Sequence, residues 1–518
     1  MIRYGIRVRR RRGWSRSGPS GPGCILTRAF PPTPRETDSL AQPSRPAIGK
    51  AERGARSLSD RPTSGLSILI VILLAGLLVR VVVAALIVPG SGFRVDVGDF
   101  AHWARELASV GPGGFYRPGY FVDYPPAYLY VLWALGGIAR WWGNVSGDVT
   151  VITGLVKAPG ILADVGVAAM LFVVTRRWFD VRGGAVAAAI FLFNPGTIFD
   201  SAVWAQMDSV GTIVLLAAVY ALARGWTEAA AVLSVAATLV KFQYAFLMPI
   251  VLAVGLKRHL FGRSSDVEHD GRPDPLRLLT SLSSGVVTLV ALLTPFGLQL
   301  IAPSDPVHSL WHRFRDASET YTGLTINAFN LWMNPISGLG GTGFWGDDRL
   351  PVWTIGSFVM TWWHAGAFMF LAVGAIGVWA LWRRDDAPAI LFVTFLVAVA
   401  FFALLTRMHE RYLFPALAFA APFALRGWGW RACYGILAAS FFFDVYFTYT
   451  IPYFENPGVG GAPMTLDPLL SATIVSAPGI YLLSFSVVVL VAILSLVAWR
   501  LEWLPWGRVR PSRFVRRR

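Results

Sequence analysis

Apolar residues in this chain come in long unbroken runs, not in the alternating or three-to-four rhythm of a segment half exposed to water. Runs lie at 66–90, 151–175, 183–200, 207–223, 278–297, 353–382, 388–405, 411–426, 432–450 and 473–499. A membrane-crossing helix needs about 20 such residues, so each run predicts one crossing. Residues 228–256 form a further apolar stretch, interrupted by Lys241 and Pro249. It is too long for one level crossing and short for two, which predicts two short helices meeting at Lys241. The expected fold is an all-α polytopic membrane protein with about twelve transmembrane helices.

Composition agrees with this reading. The 518 residues are 55% hydrophobic and 15% charged, against about 25% charged in ordinary soluble chains. A soluble enzyme and whole-length disorder are both excluded. Trp (21), Phe (34) and Tyr (15) are abundant enough to supply aromatic belts at both membrane surfaces. The two cysteines, Cys24 and Cys433, cannot build a disulfide framework or a thiolate zinc site.

Charge adds the orientation. The net charge of +16 sits entirely at the ends: residues 1–65 carry +10, residues 500–518 carry +6, and 66–499 sum to zero. The first segment is rich in Arg, Pro, Ser and Gly without apolar periodicity, and is expected to be a disordered cytoplasmic tail. Its Arg7–Arg12 run suits anionic lipid headgroups, and no nucleic-acid partner is expected. The first apolar run begins too far along to be a signal peptide. With twelve crossings, the short-loop clusters Arg176/Arg177/Arg182, Arg224, Lys257/Arg258/Arg263, Arg383/Arg384 and Arg426/Arg431 all fall on the side of the two tails, the cytoplasmic one. Residues 126–142 would reverse that pattern if they crossed. They are expected to lie in the outer interface, anchored by Trp141 and Trp142. The long outer segments are then 91–150 and 298–352, within a membrane domain spanning 66–499, and shorter ones include 451–472.

Polar motifs collect on that outer side. Asp96 and Asp99 precede a short helix whose Phe100, Trp103, Ala104 and Leu107 form an interfacial face. Asp123-Tyr124-Pro125-Pro126 starts the next helix. A carboxylate here can act as general base toward a sugar hydroxyl, Asp96 first, while Asp99 and Asp123 also suit helix capping. Asn194, Trp204, Gln206 and Asp208 cluster at the outer surface where one helix ends and the next begins, and Asp208 also suits capping of that next helix. Lys241, beside Gln243, is a cation inside an apolar stretch, suited to a phosphate or to snorkelling. Asn327, Asn330 and Trp332 suit carbohydrate hydroxyls or loop packing. Arg407, His409, Glu410 and Arg411 open a crossing and suit a phosphate clamp or an internal ion network. Arg80 and Asp164 lie at similar depth, which predicts a buried structural pair, with Lys157 facing the same zone. No HExxH, P-loop or GxSxG motif carries the chemistry. A divalent cation, Mg or Mn, is compatible with Asp96, Asp99 and Asp123 but not demanded by them.

The strings "FAHWARELA", "DYPPAYLYVL", "LVKAPGILADV", "NPGTIFDSAVWAQMDS", "LVKFQ", "TINAFNLW" and "TRMHERYLFP", in order between about residues 70 and 425, resemble bacterial membrane proteins related to the second GPI mannosyltransferase. They also resemble the dolichyl-phosphate-glucose glucosyltransferases, and both groups belong to the GT-C superfamily. The resemblance implies a catalytic Asp in the first outer loop, mapping onto Asp96, and phosphate-binding roles for Lys241, His409 and Arg411. It further implies a polyprenyl-phosphate sugar donor, inversion at the anomeric carbon, and a glycan or glycolipid acceptor. Relatives often carry Gly where this chain has Ala205, a change expected to be tolerated. Broken helices and buried charges also occur in transporters and lipid flippases, the rival expectation.

Overall fold

The computed structural model describes residues 62–87, 92–148, 150–264, 272–333, 346–455 and 477–501. The basic run Arg7–Arg12, most of both tails and most of the expected outer segment 451–472 lie outside the described residues. Among those described, seven helices are long and apolar enough to cross a membrane: Gly65–Leu86, Val151–Thr175, Pro275–Phe296, Trp362–Arg383, Ala387–Leu404, Trp428–Thr450 and Pro478–Trp499. An eighth span is obtained if Val181–Leu192 and Pro195–Trp204, bent by 53°, count as one. The chain is a mostly helical polytopic membrane protein.

Twelve full-length crossings are not what the described residues contain, and the reason is length. Asp208–Ala223 and Thr227–Val240 have 16 and 14 residues. At 1.5 Å per residue these reach about 24 and 21 Å, short of about 30 Å of hydrocarbon. The 411–426 run is likewise split into Glu410–Leu413, Phe414–Ala420 and Phe423–Arg426. The stretch 228–256 breaks at Lys241, whose backbone is extended (φ −158°, ψ 129°), before a 3-10 turn at Phe242–Leu247 and the helix Met248–Gly255.

Two expectations need correction. The run from 353 does not begin as helix. Pro351–Ile355 and Phe358–Thr361 form an antiparallel hairpin, favoured by alternating β-branched and aromatic residues around Gly356 at φ 58°. The helix starts only at Trp362, where Thr361 and His364 make a capping box. Second, Asp96 and Asp99 lie inside the helix Arg94–Val110 rather than before it. Its face of Phe100, Trp103, Ala104 and Leu107 is buried, not interfacial. That face packs on the helix Pro126–Ser146: the Phe100 ring meets Tyr124 and Tyr128 at 5.6 Å each. A Cβ at Gly136 would come within 1.9 Å of the Ala104 carbonyl oxygen, so only glycine permits this approach. Trp141 and Trp142 remain exposed.

The core centres on Ala387–Leu404, in which nearly every side chain is buried. At one end of the bundle the basic loops converge. Asp385 accepts from Lys257 Nζ at 2.7 Å and Arg258 Nε at 2.6 Å. Arg258 also donates to the Leu222 carbonyl, and Arg277 to that of Gly225. Deeper in the bundle Arg80 and Asp164, both fully buried, pair at 2.8 Å. Arg80 donates further to the Leu192 carbonyl at 2.7 Å and Thr197 Oγ1 at 3.1 Å, which ties the first helix to the bend after Leu192. Removing one member strands the other charge. Asp164→Leu or Arg80→Met should each cost about 3–5 kcal/mol, while the double variant recovers most of the loss. Thermal unfolding of the three variants in one detergent checks this.

Candidate functional site

The site is built where three helical paths are interrupted. After Leu192 the chain turns at Asn194, whose side chain accepts from the Gly196 N–H, and runs through Phe199–Trp204 as a π-helix. It ends on Ala205 in the left-handed region (φ 77°), a conformation that costs a Cβ-bearing residue about 1–2 kcal/mol. This turn points Trp204 and Gln206 at the first turn of the Arg94–Val110 helix. Both donate to one oxygen of Asp96: Trp204 Nε1 to Oδ2 at 2.7 Å, and Gln206 Nε2 to the same atom. Phe93 stacks on Trp204 at 4.7 Å, and its N–H donates to the Trp204 carbonyl. Asp96 Oδ1 accepts no hydrogen bond among the described residues, and Arg411 Nη1 stands 3.8 Å from Oδ2.

Next to this lies a second charged group. Asp208, fully buried, opens the following helix rather than capping it with a side-chain bond. Its Oδ1 accepts from Lys241 Nζ at 2.9 Å, Gln243 Nε2 at 3.4 Å and Tyr244 Oη at 3.3 Å. Lys241 sits over the rings of Tyr412 at 5.1 Å and Tyr124 at 5.9 Å. Arg411 reaches both groups. It donates to Glu410 Oε1 at 2.5 Å, approaches Asp208 Oδ2 at 4.0 Å and lies over the Trp204 ring at 5.6 Å. Its Nε has no hydrogen-bond partner, so the cation keeps donor capacity in hand.

His409 packs edge-on against Tyr321 at 5.0 Å. Burial and the neighbouring charges of Arg411 and Lys241 push its imidazole well below the usual range, so it is neutral at pH 7 and can give one N–H but no charge. Asp99, one turn along from Asp96, is raised by burial and by the Asp96 charge. Burial raises Asp123 to about 6, with the Asp96 charge adding to it and Arg411 and Lys241 opposing.

Not every expected residue meets these groups through its side chain. Arg407, at φ 62°, is held by Asp348 at 2.7 and 2.9 Å and by Ser318. Its guanidinium fastens two loops together instead of facing the cluster. Asn330 donates to the Leu405 carbonyl and accepts from the Trp332 N–H. Asn327, left-handed at φ 66°, bridges His409 through the backbone. These three shape the His409–Arg411 loop. Among the described residues no three His, Cys, Asp or Glu side chains are grouped to hold a metal. Sequence reading missed Tyr244, Tyr124, Phe93 and Asp444. Asp444 accepts from the Phe329 N–H at 2.9 Å and anchors the loop that carries Asn327. A buried acid in the apolar run 432–450 was the available signal for it.

No family model matches this chain, and no curated protein does. Among solved structures it is similar to the Archaeoglobus fulgidus oligosaccharyltransferase tethered with an acceptor peptide, at 14% identity and a TM-score of 0.36, over 82% of this chain and 55% of that one. It is also similar to the archaeal oligosaccharyltransferase AglB from Archaeoglobus fulgidus in complex with an inhibitory peptide and a dolichol-phosphate, at 12% identity and a TM-score of 0.33, over 83% of this chain and 56% of that one. The chain spans about half the length of those proteins.

The raised Asp123 carboxyl has a stability consequence. A group whose folded pKa exceeds its unfolded value of 3.8 stabilises the fold while protonated. That contribution is full below pH 3.8 and is lost as pH rises to about 6. Wild-type melting temperature should therefore fall across this window by more than that of Asp123→Asn, measured as the difference between the two curves.

Proposed function

We propose that this chain is an inverting glycosyltransferase of the GT-C type. It moves a hexose, mannose favoured, from a polyprenyl-phosphate sugar to a lipid-linked or cell-envelope acceptor. The reaction runs at the extracytoplasmic face of the cell membrane, with both termini cytoplasmic. What carries the reading is the Asp96 carboxylate, anchored through one oxygen by Trp204 and Gln206 and bare on the other, beside a cation with unused donors. A general base requires that arrangement: a fixed position and a free lone pair.

In this reading the donor phosphate is bound by Arg411 through its free donors and by Lys241, with neutral His409 giving an N–H. Arg407 is left out of the phosphate role because Asp348 holds it. Trp204, Gln206, Asp208 and Gln243 set the positions of the base and the cations. Asp96 Oδ1 takes the proton of an acceptor hydroxyl. The hydroxyl oxygen attacks the anomeric carbon from the face opposite the phosphate, the C1–O bond breaks, and its electron pair leaves with the polyprenyl phosphate. Fixed cations in a site screened from water stabilise that charge. No step runs through a metal.

Asp96→Asn keeps an oxygen that can accept from Trp204 and Gln206 but removes the basicity. It should lower kcat about 10²- to 10⁴-fold with unchanged melting temperature. Arg411→Gln should raise the donor KM about tenfold to a hundredfold with a smaller effect on the acceptor KM. Transfer of radiolabelled mannose from polyprenyl-phosphate mannose in proteoliposomes measures both. Near-wild-type turnover in Asp96→Asn removes that residue from the base role.

A further inference from the structure

Between the first long loop and the second lies a groove of about 350 Å³, within the size range of small-molecule pockets. One wall is Arg117 to Asp123, and the other comes from 306–320. Two guanidiniums line it, and both are engaged. Arg117 pairs with Glu106 at 2.7 Å and lies over the Tyr120 ring at 4.2 Å. Arg313 donates to the Val307 carbonyl at 3.0 Å and lies over Tyr116 at 4.9 Å. Against them stand the carboxylates of Asp123 and Asp316, so the lining is formally neutral. Arg117 is already paired with Glu106, and Asp123 and Asp316 outweigh the charge of Arg313, so an anion finds no net positive charge here. A neutral polyol finds carboxylate oxygens to accept its hydroxyls, the Thr320 hydroxyl, and an aromatic face on Phe121, which is 52% exposed at the rim.

The inner end of the groove meets the charged site. Asp123 lines the groove, and the charges of Asp96, Arg411 and Lys241 all act on it. Tyr321, the residue after groove-lining Thr320, packs against His409. The segment carrying Asp123 is fixed from behind: Trp103 Nε1 donates to the Phe121 carbonyl at 3.2 Å, and Tyr116 Oη to that of Tyr124 at 2.8 Å. We propose that this groove is the acceptor subsite, taking a neutral hexose ring with Phe121 against its face and Asp123 and Asp316 accepting its hydroxyls. The inference rests on the glycosyltransferase reading for its role, but not for its ligand chemistry. Asp123, at the junction, directs one hydroxyl of the bound ring toward Asp96.

Two measurements on the full chain in nanodiscs separate the groove from the reaction. The first is binding of methyl α-mannopyranoside and methyl α-glucopyranoside, read by saturation-transfer NMR. Phe121→Ala should weaken binding of the preferred glycoside by about tenfold, and Thr320→Trp, which fills the groove, should abolish it. Two variants guard against one failing to fold, and Asp96→Asn should still bind. Binding that is absent from wild type, or equal in wild type and both variants, overturns the subsite. The second is transfer from polyprenyl-phosphate mannose to methyl α-mannopyranoside, with slow donor hydrolysis as the control for the donor site. Phe121→Ala should raise the acceptor KM about tenfold and Thr320→Trp should remove transfer to the glycoside, while in both variants hydrolysis of the donor stays within about twofold of wild type. An unchanged acceptor KM in a transferring enzyme overturns the groove and leaves the glycosyltransferase reading standing. Groove-dependent binding with no transfer or hydrolysis by wild type supports a hexose site in the groove and overturns that reading together with the acceptor role.

Discussion

The ion pair between Lys241 and Asp208 joins two of the places where an otherwise apolar chain stops being helical. Neither charge is tolerable alone in such surroundings, because a buried ion costs several kcal/mol unless paired. Each therefore requires the other, and the requirement pulls two chain breaks together. Tyr244 completes the joint by donating to the Asp208 carbonyl and carboxylate. The ring fits because Gly211 lies beneath it, where a Cβ would come within 1.8 Å. Broken helices leave backbone groups without intrahelical partners, and in an apolar bundle these must be met by nearby side chains. A joint of this kind is consequently polar, rigid and inward-facing before any substrate is considered.

The rest of the site is arranged around that joint. Arg411 spans from Asp208 to Asp96, so the acid on the first loop and the lysine on the broken stretch share one electrostatic environment. Asp208 orients Lys241, and Glu410 orients Arg411, whose Nε is left without a hydrogen-bond partner. The polar loops are held to the bundle by clips remote from the chemistry: Arg407 to Asp348, and Asp444 to the Phe329 N–H. Stability and reactivity are thus divided. The pairs Arg80–Asp164 and Lys257/Arg258–Asp385 match charge with charge inside the bundle, whereas the Arg411 Nε in the site has no hydrogen-bond partner.

Hydropathy by itself determined that the chain is a bundle of apolar helices, that the stretch around Lys241 must break, and that Arg80 and Asp164 occupy similar depths. These follow from local properties: run length, the cost of a charge in hydrocarbon, and distance from a helix end. The candidate base and its two donors were also visible as motifs, since acids, indoles and amides in an apolar chain have few bland uses.

Only the tertiary structure decided what each polar group meets. Asp96 and Trp204 are 108 positions apart, and nothing in either segment names the other. The same holds for Arg407, which read as a phosphate ligand until Asp348, 59 positions away, took its guanidinium. Sequence pattern reports which face leaves water, so the Phe100–Leu107 stripe was legible as a face. Whether that face meets lipid or another helix turned on Gly136, whose missing side chain lets two backbones touch. Helix length, likewise, is set where breaks fall, and the breaks after Leu192 and around Glu410 are stabilised by partners from elsewhere in the fold.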